Sequence, residues 1–119
     1  MTELATLARP YAEAAFKCAK QSGDAADWSK SLQFLAFVVN VPELQAILDN
    51  PRVGRQRISD LLLDIGQDQV LDAAKNLVKL LVENDKLKLL PTISTLFEQL
   101  KADDEGYVNV DLLSAYALS

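Results

Sequence analysis

Histidine is absent from the 119-residue sequence, and cysteine occurs once, at Cys18. The missing imidazole removes the commonest general base and the commonest metal ligand. One thiol without a histidine builds neither a structural zinc site nor a Cys–His nucleophile pair, and it cannot close a disulfide within the chain. The four glycines, at positions 23, 54, 66 and 106, are too scattered to form a phosphate-cradling loop. These absences predict a chain with no catalytic residues, no metal and no cofactor. No apolar run approaches the roughly 18 residues that a spanning helix needs, so direct membrane insertion is not expected. Neither a basic stretch followed by an apolar segment nor an Arg- and Ser-rich presequence opens the chain. Basic residues are also in deficit, 12 against 17 acidic ones, for a net charge of −5. That balance opposes a sequence-independent grip on nucleic acid and adhesion to an anionic membrane surface.

What remains is a globular composition, half hydrophobic and a quarter charged, in a length suited to one small domain with its own core. Apolar residues recur at intervals of three and four from residue 4 to about residue 100, the mark of amphipathic helices. The breakers divide this stretch into six. A first helix is expected from Leu4 to Gln21, with Pro10 inside it either kinking it or moving its well-formed part beyond Arg9. A second follows Asp24 as N-cap and carries Trp28, Leu32, Leu35 and Val39 on one face. A short third helix spans Pro42 to Asp49, and a fourth Arg55 to Ile65, with Ile58, Leu61, Leu62 and Ile65 inward and Gly66 at C′. The fifth covers Asp68 to Glu83. The sixth starts near Lys88, holds Pro91 in its first turn and ends near Ala102. The expected class is all-α, a six-helix bundle over residues 1–104.

Beyond it the pattern changes. Asp103-Asp104-Glu105-Gly106 reads as an acidic loop, and Tyr107 to Leu113 alternates like a strand. A lone strand leaves its backbone groups unpaired, so residues 105–119 are either an extended tail or the truncated start of a second domain. The second is favoured, with Ser119 suited to cap a helix beyond it.

Helices 1 and 5 carry more apolar surface than packing on one side requires, a stripe a little over about 100° wide. In helix 1, Leu4, Leu7, Ala8, Tyr11, Ala12, Ala14, Ala15, Phe16, Cys18 and Ala19 cover roughly 200°. In helix 5, Ala73, Ala74, Leu77, Val78, Leu80, Leu81 and Val82 cover about the same. Either both helices are central and bury wide arcs, or one edge of each is open and forms a groove for another amphipathic helix. Ala14, Ala15 and Cys18 are small enough to admit a partner backbone, and Tyr11 would serve as an aromatic anchor beside them. Other features read more simply. Trp28 is a packing residue, Arg52, Arg55 and Arg57 a solvated turn, Asp60 and Asp64 a solvated face, and Cys18 a small hydrophobe before a redox switch.

Three stretches resemble a known family. Ala8 to Phe16, ARPYAEAAF, resembles the opening of delta subunits of bacterial F-type ATP synthases. Asn76 to Asn84, NLVKLLVEN, with Leu87 and Leu90-Pro91 after it, is similar to the family's fifth helix and its turn, and VNVDLLSAYALS to the segment opening its C-terminal domain. The mitochondrial relative is the oligomycin-sensitivity-conferring protein. The resemblance implies a six-helix N-terminal domain, followed in the family by a smaller C-terminal α/β domain for which this chain is too short.

It also implies a non-catalytic stator connector of the proton-translocating ATP synthase, sitting peripherally on the cytoplasmic side of a bacterial inner membrane. The N-terminal helix of an alpha subunit would lie across helices 1 and 5, and the b subunits of the peripheral stalk would meet the missing C-terminal domain. The isolated chain is expected to be monomeric. Carried onto this sequence, the partner-binding residues are Leu7, Tyr11, Ala14 and Cys18 from helix 1 and Ala73, Leu77 and Leu80 from helix 5, with Asn76, Glu83 and Asn84 as a polar rim. The rival is a free-standing helical adaptor for a different amphipathic helix.

Overall fold

The computed structural model describes the backbone of residues 3–113 and the side chains of residues 3–104. Within them the chain forms six α-helices: α1 (Glu3–Ser22), α2 (Ala25–Val39), α3 (Pro42–Leu48), α4 (Arg55–Ile65), α5 (Asp72–Glu83) and α6 (Leu90–Leu113). A 3₁₀ turn at Leu87–Leu89 leads into α6, which takes Pro91 in its first turn, where a missing N–H costs no helical bond. No strand occurs among the described residues, and the all-α expectation holds.

The expected strand-like tail does not. The backbone stays helical across the residue 104–105 boundary and through Leu113. A helix satisfies each backbone group within its own segment, whereas a strand with no neighbour satisfies none. One Gly106 in a helix costs only about 1 kcal/mol, too little to stop propagation. The cap expected of Ser119 lies outside the described residues. Helix α5 begins at Asp72, four residues later than the periodicity indicated, because a turn at Gln67–Val70 intervenes. Pro10 sits within α1 without ending it.

The ends of the helices show how local chemistry sets boundaries. α1 closes at Gly23, whose φ of 71° is the left-handed conformation a glycine tolerates. The Asp24 N–H then reaches back to the Ala19 carbonyl at 3.1 Å, the Schellman pattern. α5 ends in the same way with a non-glycine residue. Asp85 takes φ 56°, and the Lys86 N–H donates to the Leu81 carbonyl at 2.8 Å. Gly66 was expected to serve as such a C′ residue. Instead its φ is −88°, and the reason for glycine there is space, since a Cβ would meet Val70 Cγ2 at 2.8 Å. Asp24 stands at the N-cap position of α2 but makes no side-chain cap bond.

The core gathers where α1 and α2 pack on α6. Phe97 is fully buried and meets Phe16 of α1 edge-on at 5.7 Å and Trp28 of α2 in a stacked arrangement at 6.3 Å. Edge-on and offset pairs of this kind add about 0.5–1.5 kcal/mol beyond area burial. Leu32, Leu35, Leu62, Leu81, Leu90 and Ile93 fill the remainder. Two buried hydroxyls are paired across helices, whereas, among the described residues, Trp28 Nε1 and Asp24 Oδ1 are buried without a partner. Ser31 Oγ accepts the Leu71 N–H at 3.0 Å, tying α2 to the start of α5, and Ser29 Oγ donates to Glu98 of α6. On α4 the expected inward face is narrower than the sequence indicated. Ile58 and Leu62 are buried, Leu61 is half-buried, and Ile65 is exposed. The last turn of α4 runs past the edge of the core.

Candidate functional site

The structure divides the wide apolar arc of α1 into two. The fully buried residues of the helix are all alanines, Ala8, Ala12, Ala15 and Ala19, none more than 3% exposed, with Phe16 half-buried beside them against Phe97. At 100° per residue the four alanines fall within about 60° of one another. Such a narrow, flat stripe lets α6 lie close against α1. The adjoining sector of roughly 80° holds Leu4, Tyr11, Cys18, Leu7 and Ala14. Leu4 and Leu7 are 52% and 45% exposed, Ala14 is exposed, and Tyr11 and Cys18 are half-buried against the core edge.

Helix α5 repeats the division. Ala74, Leu77, Val78, Leu81 and Val82 are buried. The adjoining sector, about 40° wide, carries Leu80, Ala73 and Asn84. Leu80 is 44% exposed, Ala73 half-buried and Asn84 exposed. Asn76 and Glu83 follow on the solvent side, both exposed. Of the ten residues expected to form the site, Leu77 alone is fully committed to the core, at 8% exposure.

These two open flanks meet. Asn84 Nδ2, at the end of α5, donates to Tyr11 Oη of α1 at 3.3 Å. Tyr11 and Asn84 are 73 residues apart in sequence, so periodicity alone could not pair them. Leu4 was left out of the expected set, although its spacing of three from Leu7 places it on the same flank. Phe37, 70% exposed on α2, lies on neither flank; the helical repeat places it nearly opposite the face of Trp28, Leu32, Leu35 and Val39.

The other clusters make surface contacts. Arg55 is engaged by Asp85, with Nε–Oδ1 at 3.2 Å and Nη2–Oδ2 at 2.6 Å. The hydrogen bond from Arg55 holds the Asp85 carboxyl below the usual carboxylate range, and the same bond raises the Arg55 pKa. Asp60 accepts from Gln56 Nε2 at 2.8 Å on the surface of α4. No group of three potential metal ligands converges among the described residues. Among those residues no single helix is long and apolar enough to cross a membrane.

The arrangement is that of an all-α domain whose first and fifth helices present exposed apolar flanks with polar margins. Residues 7–119 match the model of the ATP synthase delta (OSCP) subunit family. The chain is 43% identical over 119 residues to ATP synthase subunit delta of Thioalkalivibrio sulfidiphilus, spanning all of this chain and 67% of that protein. It is 41% identical over 118 residues to the Methylococcus capsulatus protein of the same name, covering 99% and 66%. It is 48% identical over 120 residues to that of Paraburkholderia phymatum, again covering 99% and 66%. The chain belongs to the ATP synthase delta (OSCP) subunit family. It spans about two thirds of the length of the curated relatives it matches.

Proposed function

We propose that this chain is a non-catalytic stator connector of an F-type ATP synthase, and that the joined flanks of α1 and α5 receive the N-terminal helix of an alpha subunit. The observation that carries this reading is the meeting of two unburied apolar sectors at Tyr11 and Asn84. An amphipathic helix laid along such flanks buries its own apolar stripe at i, i+3, i+4 and i+7. Leu7, Tyr11, Cys18, Ala73 and Leu80 supply apolar contact, and Ala14 admits the partner backbone. Asn76, Glu83 and Asn84 border it with polar groups that set register. The remaining third of the relatives' length would carry the second domain, through which the b subunits of the peripheral stalk are engaged. Such a protein works peripherally, on the cytoplasmic face of the membrane.

The mechanical role follows from the kind of contact. A stator must hold the catalytic head still against rotation, which requires slow dissociation rather than chemistry, and slow dissociation comes from a well-packed apolar centre with a polar margin. Titrating the chain with a synthetic peptide of the alpha subunit's N-terminal helix, by calorimetry, should give saturable one-to-one binding. A scrambled amphipathic helix of equal length and charge should bind far more weakly. Equal binding of the two would replace the stator reading with that of a general helix adaptor, and no binding of either would remove the docking site.

A further inference from the structure

The Tyr11–Asn84 hydrogen bond joins two polar groups where the apolar flanks of α1 and α5 meet, and its value changes when that surface is covered. In the free chain the bond is at the protein–water boundary, with Asn84 exposed and Tyr11 half-buried. Water can replace either partner there, so the bond contributes little to folding. A helix laid along the flanks would exclude that water. One Asn84 N–H and the Tyr11 hydroxyl oxygen would then depend on each other, because the apolar residues Leu7, Ala14 and Leu80 of the flanks offer neither a replacement. Losing one partner under cover leaves the second desolvated and unpaired, which costs far more than losing both.

We infer that the Tyr11–Asn84 pair is a clasp that positions α5 against α1 and becomes important only when a helix docks over it. The inference rests on the docking reading above and deepens it: one Asn84 N–H is committed to the Tyr11 oxygen, and the remainder of the Asn84 amide stays available to the polar margin. Tyr11 contributes its ring to apolar contact, and its hydroxyl serves Asn84.

The clasp makes a non-additive forecast. Tyr11→Phe keeps the ring and removes the acceptor; Asn84→Leu keeps the approximate shape and removes the donor. Each should weaken binding of the alpha-subunit N-terminal peptide by about five-fold to a hundred-fold, the fold-change that corresponds to one unsatisfied buried group. The double variant, with neither polar group left, should return to within about three-fold of the unsubstituted chain, since removing both partners is nearly neutral. Thermal unfolding of all three free chains should stay close to that of the unsubstituted one.

Additive losses in the double variant would show that each residue bonds the partner independently and would overturn the clasp. So would single variants that bind like the unsubstituted chain, or losses matched by falling unfolding midpoints, which would make the bond a folding contact. Failure of the unsubstituted chain to bind the peptide is a separate outcome, which removes the docking reading itself and the clasp with it.

Discussion

The two apolar sides of α1 look alike in sequence and behave differently in the fold. One is a stripe of four buried alanines that brings α6 close. The other holds larger residues, Leu4, Leu7 and Tyr11, at or near the surface. Size runs opposite to the usual expectation that large apolar residues go inside and small ones out. The physical reason is that close packing rewards fit rather than bulk. Alanines let α6 lie close to α1, and Phe97 of α6 fills the space against Phe16 and Trp28. The bulkier residues are then left over on a face that no other helix fully covers among the described residues. A leftover of this kind, repeated on α5 and adjoining it, is the surface that the proposed helix docking would use.

The comparison can be broken in several ways, and the largest effect should come from the residue that the alanine stripe accommodates. Phe97→Ala removes the ring that joins α1 and α2 to α6. It should cost about 3–5 kcal/mol in denaturant-induced unfolding. A cost below about 1 kcal/mol would mean that the aromatic cluster does not organise the core. Next, Ala12→Leu places a larger side chain in the stripe at a fully buried position and should destabilise by about 1–3 kcal/mol through overpacking.

Ala14→Leu is the counterpart on the open side, two residues away. Because Ala14 is exposed, the free chain should keep its unfolding midpoint, while affinity for the alpha-subunit peptide falls roughly ten-fold to a hundred-fold by obstruction of the partner backbone. Tyr11→Ala should also weaken binding, and Glu13→Ala, on the polar side of the same helix, should leave it unchanged. If Ala14→Leu destabilises the free chain as Ala12→Leu does, the two sides are not distinct.

The smallest effect lies away from α1, where Arg55 and Asp85 close the end of α5. The folded-state pKa of Asp85 is depressed, so the pair's contribution is present above the unfolded carboxylate value and is lost as pH falls through the lower folded value. Asp85→Asn should therefore lower the unfolding midpoint slightly at neutral pH and make no difference once the medium is acidic enough to protonate the folded carboxyl. Both side chains are exposed, so added salt should erase the neutral-pH difference as well.

Much of this was legible in the residues. α4 spans the residues that the spacing indicated, and the turns after Gln21 and Asn84 fall where Gly23 and Asp85 mark them. The excess apolar arc of α1 and α5 was visible on a helical wheel. The helical continuation of α6 past Asp104 was not, because alternation from Tyr107 to Leu113 fits a strand as well as a helix, and the strand's missing partner was assigned to a second domain. Nor was the late start of α5, where Ser31 of another helix holds the Leu71 N–H.

Periodicity, breakers and composition thus determined the helical class, the number of helices and the two that carry surplus apolar surface, because those follow from the 3.6-residue repeat and from backbone chemistry local to each segment. Which part of each arc turns inward was decided only by the tertiary structure. On the wheel Ala12 and Ala14 are both apolar; the close approach of α6 buries one and leaves the other facing solvent. The meeting of Tyr11 with Asn84, 73 residues apart, required the fold as well, since a contact between distant segments depends on how whole helices pack and not on the order of residues within either.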